Sequence, residues 1–275
     1  MSVAARSALK SAVAEAAPAL VRLRGLYMGG SFGRGIADDL SDLDYVAVAE
    51  PDDMAGLVED WVGMIAQFGT IVHRMQRVFP TSALVNLISA DWVRCDLLIE
   101  TENRFSDRAK DRLAVIFERT PFFDRLAEQT KLPPVNPVVL SAAVEEFLRV
   151  LGLAHLAVGR GDHFTAQWGV ALLRDQVRVF VSALEPGVAL SGALTLSREL
   201  SAQRMAVLEG LPVGGIDMAT TLNAQQELAR RFLPMAKAAC AANGASWPSP
   251  FVAATSRVLR GTISNDFCNW LAGQA

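Results

Sequence analysis

Gly29-Gly30-Ser31-Phe32-Gly33-Arg34-Gly35, followed at residues 41–44 by Ser41-Asp42-Leu43-Asp44, decides how this chain is read. Leu43 to Ala49 is apolar enough to be a buried strand, and Asp42 and Asp44 stand one residue apart at its head. Alternate side chains of a strand share a face, so both carboxylates point the same way. Two such groups repel each other unless a cation lies between them, and aspartate is a poor strand former. Magnesium answers both difficulties. It is a hard cation that takes one or two carboxylates and completes its shell with phosphate oxygens and water. The glycine turn supplies the matching half. Backbone amides at Gly30 and Ser31 can approach phosphates with no side chain in the way, and the Ser31 hydroxyl adds a donor. Arg34 adds positive charge near a triphosphate, and Ser41 completes the expected nucleotide-binding set of Gly30, Ser31, Arg34 and Ser41.

Working outward, Leu26-Tyr27-Met28 reads as a short buried strand ended by the Gly29-Gly30 turn. Before it, residues 3–23 predict a helix with a break at Pro18; after it, Pro51 opens a helix expected to stop at Gly69. Residues 71–78, 83–88 and 93–99 predict three strands on short turns, hence antiparallel pairing, and residues 114–117 predict a further edge strand. Asp96 is an acid embedded in the otherwise apolar run Cys95-Asp96-Leu97-Leu98-Ile99. It is the expected third metal ligand with Asp42 and Asp44, and a candidate for taking the proton of an acceptor hydroxyl.

Three prolines fall within Lys131-Leu132-Pro133-Pro134-Val135-Asn136-Pro137, the best linker in the chain. Beyond it the apolar period is helical over residues 138–158, 164–184, 197–208, 220–241 and 251–271. The fold class expected is therefore α+β. A mixed, mostly antiparallel sheet with helices occupies residues 1–132, a helical bundle follows over 138–275, and the site is expected in the cleft between them.

Composition narrows the partners. The net charge is −3, with 19 acidic and 15 basic side chains in residues 1–135 and 10 and 11 in the remainder. No basic stripe invites a nucleic acid. Cys95, Cys240 and Cys268 are odd in number and widely spaced, which fits reduced core thiols rather than disulfides or zinc. His73, His155 and His163 form no ligand pattern, and Trp61, Trp168 and Trp270 read as packing. Charges interrupt every long apolar run, so a cytoplasmic protein with no membrane partner is expected.

Met28-Gly29-Gly30-Ser31 with Asp42-Leu43-Asp44, and Asp96 on a later strand, resembles the signature of the nucleotidyltransferase superfamily shared with DNA polymerase beta. Within it the chain looks most like bacterial nucleotidyltransferases that modify lincosamide and aminoglycoside antibiotics. The resemblance implies an N-terminal catalytic domain, two Mg²⁺ ions on Asp42, Asp44 and Asp96, and transfer of a nucleoside monophosphate to a small hydroxylated acceptor. ATP is the default donor on abundance alone. A weaker likeness covers Glu146-Phe147-Leu148-Arg149 and Gly159-Arg160-Gly161-Asp162, where such enzymes contact nucleotide or acceptor and sometimes place a glutamate as base. Arg160 and Asp162 are equally readable as helix caps, and at most one of Glu145 and Glu146 can face a cleft. The acceptor, and whether the protein is a monomer or a homodimer, stay open. The competing reading is a non-catalytic or protein-modifying member acting through a protein partner.

Overall fold

A computed structural model of the chain describes residues 3–132, 134–185 and 196–275, and it divides into two compact units, Met1–Lys131 and Leu132–Ala275. The first unit is a six-stranded sheet with helices. Helix α1 (Val3–Ala16) ends in a 3₁₀ turn over Ala17–Ala19, where Pro18 stands. Strand β1 (Gly25–Met28) leads through the short α2 (Gly30–Gly33) to β2 (Leu43–Val48). Helix α3 (Met54–Ala66) connects to the meander β3 (Ile71–Phe79), β4 (Ser82–Ser89) and β5 (Arg94–Glu100). The one-turn α4 (Glu102–Phe105), which the sequence pattern does not predict, and β6 (Ala114–Glu118) complete the set.

The strand order is β3-β4-β5-β2-β1-β6, and only β2 and β5 run parallel. That single parallel pair is what brings Asp44 level with Asp96. It requires a long crossover, and α3 with the β3–β4 hairpin provides it. Along β2 the side chains alternate between two cores. Leu43, Tyr45 and Ala47 lie in a large core with Leu57, Val58, Trp61 and Ile65 of α3 and with Leu9 and Val13 of α1. Tyr45 and Trp61 meet edge-on, ring centroids 5.1 Å apart. On the opposite face Val46, Val48 and Tyr27 join Phe105, Leu113, Phe122 and Leu126 in a smaller cluster. Asp44 shares that second face, beyond the end of the cluster.

The second unit is helical: α5 (Pro137–Gly152), α6 (Ala154–Gly159), α7 (His163–Ala183), α8 (Leu196–Glu199), α9 (Ala202–Glu209), α10 (Met218–Ala242), α11 (Ser249–Val258) and α12 (Asn265–Ala272). Its core centres on Phe147, Phe180 and Phe232, with Phe232 4.6 Å from Phe147 and 5.2 Å from Phe180 between ring centroids.

Three expected helices are each broken in two, and the run 138–158 divides at Leu153 into α5 and α6. The run 251–271 is interrupted where Gly261 takes a left-handed φ of 79° and Ser264 caps α12 by accepting from the Phe267 amide. The run 197–208 breaks at Ser201, which adopts extended dihedrals and starts α9. The three cysteines are buried free thiols, as their spacing implies. Trp61 is in the core, but Trp168 is 59% exposed and stacks on exposed Phe164. No helix among the described residues is long and apolar enough to cross a membrane.

Candidate active site

The site grows from the β1–β2 connection and the register of β5. In the β2–β5 pair Asp44 lies opposite Asp96, and in the β4–β5 pair Asp96 lies opposite Asn86, so one row on one face reads Asp44, Asp96, Asn86. Asp42 comes just before β2. Among the described residues, Asp42, Asp44 and Asp96 form a group whose ligand atoms, one carboxylate oxygen each, lie within 4.8 Å of one another. All three are partly buried. Three hard oxygen donors at that spacing suit a divalent cation of the magnesium type.

The glycine turn is built against this cluster. Gly30 has φ 52°, a left-handed conformation, and a Cβ there would lie 1.9 Å from Asp44 Oδ2. Only glycine lets the turn approach the carboxylate so closely. The Gly29 amide donates to the Asp44 carbonyl at 2.8 Å, which fixes the height of the turn above β2. At the far end a Cβ on Gly33 would stand 2.3 Å from the Arg112 carbonyl oxygen, so that glycine too is required by a close approach. Ser31 is 7% exposed and its Oγ is buried without a hydrogen-bond partner. A hydroxyl left unmatched beside a carboxylate cluster fits a turn that faces a phosphate. The Arg34 Nε donates to the Gly30 carbonyl at 3.2 Å, curling the side chain back over the turn.

Ser41 is almost fully buried, and its hydroxyl is engaged within the loop: Oγ donates to Asp38 Oδ1 and accepts from the Asp38 amide, both at 2.9 Å. Its visible role is to close the turn that delivers Asp42. Arg6 of α1 reinforces that turn. This buried guanidinium donates through Nη1 to the Asp38 carbonyl at 2.8 Å and the Ser41 carbonyl at 2.6 Å. Sequence reading did not single out Arg6; its sole signal is an arginine falling on the buried stripe with Leu9 and Val13.

Electrostatics follow from the geometry. Asp44 is pushed up to about 6, first by burial and then by the neighbouring charges of Asp42 and Asp96, with Arg94 and Arg34 acting in the opposite sense. Arg94 reaches Asp42 at 2.8 Å and Asp96 at 3.4 Å, and it is a second residue that sequence reading did not place in the site. Asn86, at the end of the row, has a buried Oδ1 with no partner.

Within the second unit the Arg-Gly-acid corner is a cap. Gly161 has φ 63°, and Asp162 accepts from the Thr165 amide at 2.9 Å at the start of α7. Glu146 is taken up by a two-pronged pair with Arg149, both contacts at 2.6 Å, while Glu145 is exposed.

No family model and no curated protein matches the sequence. Among solved structures the chain is similar to an aminoglycoside 6-adenyltransferase from Bacillus subtilis, at 14% identity and a TM-score of 0.41, over 96% of this chain and 100% of that one. It is also similar to a nucleotidyltransferase-like protein from Exiguobacterium sibiricum 255-15, at 12% identity and a TM-score of 0.37, over 83% of this chain and 75% of that one. Likeness at this level says nothing of donor or acceptor.

Proposed function

We propose that this protein is a nucleotidyltransferase that moves a nucleoside monophosphate, AMP from ATP, onto a hydroxyl of a small acceptor and releases pyrophosphate. The observation that carries the reading is the carboxylate cluster of Asp42, Asp44 and Asp96 with a glycine turn packed against Asp44. Asp42, Asp44 and Asp96 would hold Mg²⁺, two ions in the full complex. When bound, magnesium neutralises triphosphate charge and acidifies the attacking hydroxyl.

The chain's own groups then have definite tasks. The amides of Gly30 and Ser31, first in their turn, lack a carbonyl within the helix and can face phosphate oxygens, joined by the Ser31 hydroxyl. Arg34 adds charge on the same side. The acceptor oxygen forms its bond to the α-phosphorus as the bond from that phosphorus to the α–β bridging oxygen breaks. The electron pair leaves with pyrophosphate, and the hydroxyl proton passes to Asp96. Hydroxylated antibiotics of the lincosamide or aminoglycoside kind belong in the first acceptor screen.

The test is thermal stability of the purified chain with a non-hydrolysable ATP analogue, with and without Mg²⁺, beside Asp42→Asn. A ligand present at 100 times its dissociation constant stabilises by about 2.7 kcal/mol. The expected result is a gain that needs metal and nucleotide together and is absent in the variant. No response to ATP, GTP, CTP or UTP analogues in either protein would remove the enzymatic reading and favour a protein partner.

A further inference from the structure

The cluster of three carboxylates already contains a cation. Arg94 opens β5, two residues before Asp96 and on the same face, opposite Ile88 of β4. One of its nitrogens, Nη2, lies 2.8 Å from Asp42 Oδ2 and 3.4 Å from Asp96 Oδ2. The strand register places Arg94 on the face of Asp96, and Asp42 directly precedes Leu43, the residue that pairs with Cys95. A divalent ion bound to the same two oxygens would stand about 2.0–2.6 Å from each. The guanidinium nitrogen and that ion cannot share the gap.

We propose that Arg94 is a resident counter-ion of the metal-free site, bridging Asp42 and Asp96 and swinging out when a divalent cation binds. The inference rests on the metal-binding reading of the same cluster. Arginine does not lose its proton in a protein, so it cannot vacate the gap by becoming neutral; the side chain has to move. Its side chain is 40% exposed, against 25% for Asp42 and 20% for Asp96, which leaves a path to solvent. Even with Arg94 and Arg34 both acting on it, a cluster of three carboxylates keeps net negative charge and still attracts metal.

Arg94 therefore sets metal affinity by competition. If the cluster accepts metal only with Arg94 swung out, the apparent dissociation constant exceeds the intrinsic one by the inverse of the open fraction, about tenfold for a one-in-ten population. An arginine that merely positioned Asp96 for the metal would act in the opposite direction, since its removal would weaken binding.

The experiment is a Mn²⁺ titration of the full chain without nucleotide, followed by loss of the free-ion paramagnetic resonance signal at fixed ionic strength. Wild type, Arg94→Met, Arg94→Gln and Asp44→Asn are compared, with circular dichroism to check folding. The expected result is binding about tenfold tighter in Arg94→Met than in wild type, and weaker than wild type in Asp44→Asn. If Arg94→Met does not fold, Arg94→Gln is held to the same expectation. Equal or weaker binding in the arginine variants, with Asp44→Asn still defective, overturns the counter-ion and leaves the metal site standing. Absence of binding in all four overturns the metal site, and the counter-ion with it.

Discussion

At the scale of single residues, Asp44 has the most to disclose. Its carboxyl is pushed from the ordinary value of 3.8 up to about 6, so between those values the folded chain holds a proton that the unfolded chain has released. Where the native state binds more protons, stability falls as pH rises. The contribution is fully present below about 3.8 and is lost as pH climbs through about 6. The size is about 1–2 kcal/mol once solvent screening at this partly exposed site is allowed for. Metal-free wild type should therefore lose stability relative to Asp44→Asn across that window in paired denaturant titrations. Parallel curves would show that Asp44 is not strained by its neighbours. The pair Asp42 and Asp44, and the acid in the apolar run at Asp96, could be read from sequence because charge in a strand stands out locally. Arg94 could be read only as an ordinary pairing partner for Asp96, and Asn86 and Arg6 not at all. Each matters through a partner at another place in the chain, and an arginine two residues before an aspartate is otherwise an ordinary surface pattern.

At the scale of elements, the glycine turn is the decisive piece. Its place between two strands is legible from Gly29-Gly30 alone, but the reason for glycine at position 30 is tertiary. An alanine there would meet a left-handed backbone cost of about 1–2 kcal/mol. It would also set a methyl 1.9 Å from Asp44 Oδ2, so the turn or the carboxylate has to shift. Gly30→Ala is expected to lower stability by more than the backbone cost alone and to weaken Mn²⁺ binding, measured by melting and metal titration. Unchanged metal affinity would mean that the close approach of turn and carboxylate is incidental. Strand existence was readable from apolar runs over residues 71–99 because short turns separate them. The parallel pairing of β2 with β5 was not readable, since nothing local distinguishes a strand that joins β4 alone from one that also docks on β2. Helix boundaries failed where a break is made by backbone geometry rather than by a change in the residue pattern, at Gly261 and Ser201.

At the scale of the whole molecule, each of the two units has its own hydrophobic packing, two clusters on the faces of the sheet and one among the helices. The aromatic triad of Phe147, Phe180 and Phe232 anchors the helical one, and Phe232 touches both of the others. Phe232→Ala should cost about 3–5 kcal/mol, the usual loss for emptying a buried aromatic site. Because its contacts lie in the helical core, the variant is expected to keep wild-type Mn²⁺ affinity wherever it is folded. A matching loss of metal affinity in folded protein would show that the carboxylate cluster depends on the second core.

Taken by itself, the sequence determined the α+β class, the change to helices after the proline-rich stretch, and the two acids with a glycine turn that make phosphate chemistry worth testing. Those are local signals: period, breakers, and charge where an apolar residue is expected. Tertiary structure alone decided that Asp96 stands opposite Asp44, that Gly30 lies against its carboxylate, and that Arg94 bridges two of the three acids. Distances of that kind depend on strand register and sheet order, which are chosen by the packing of residues far apart in the chain.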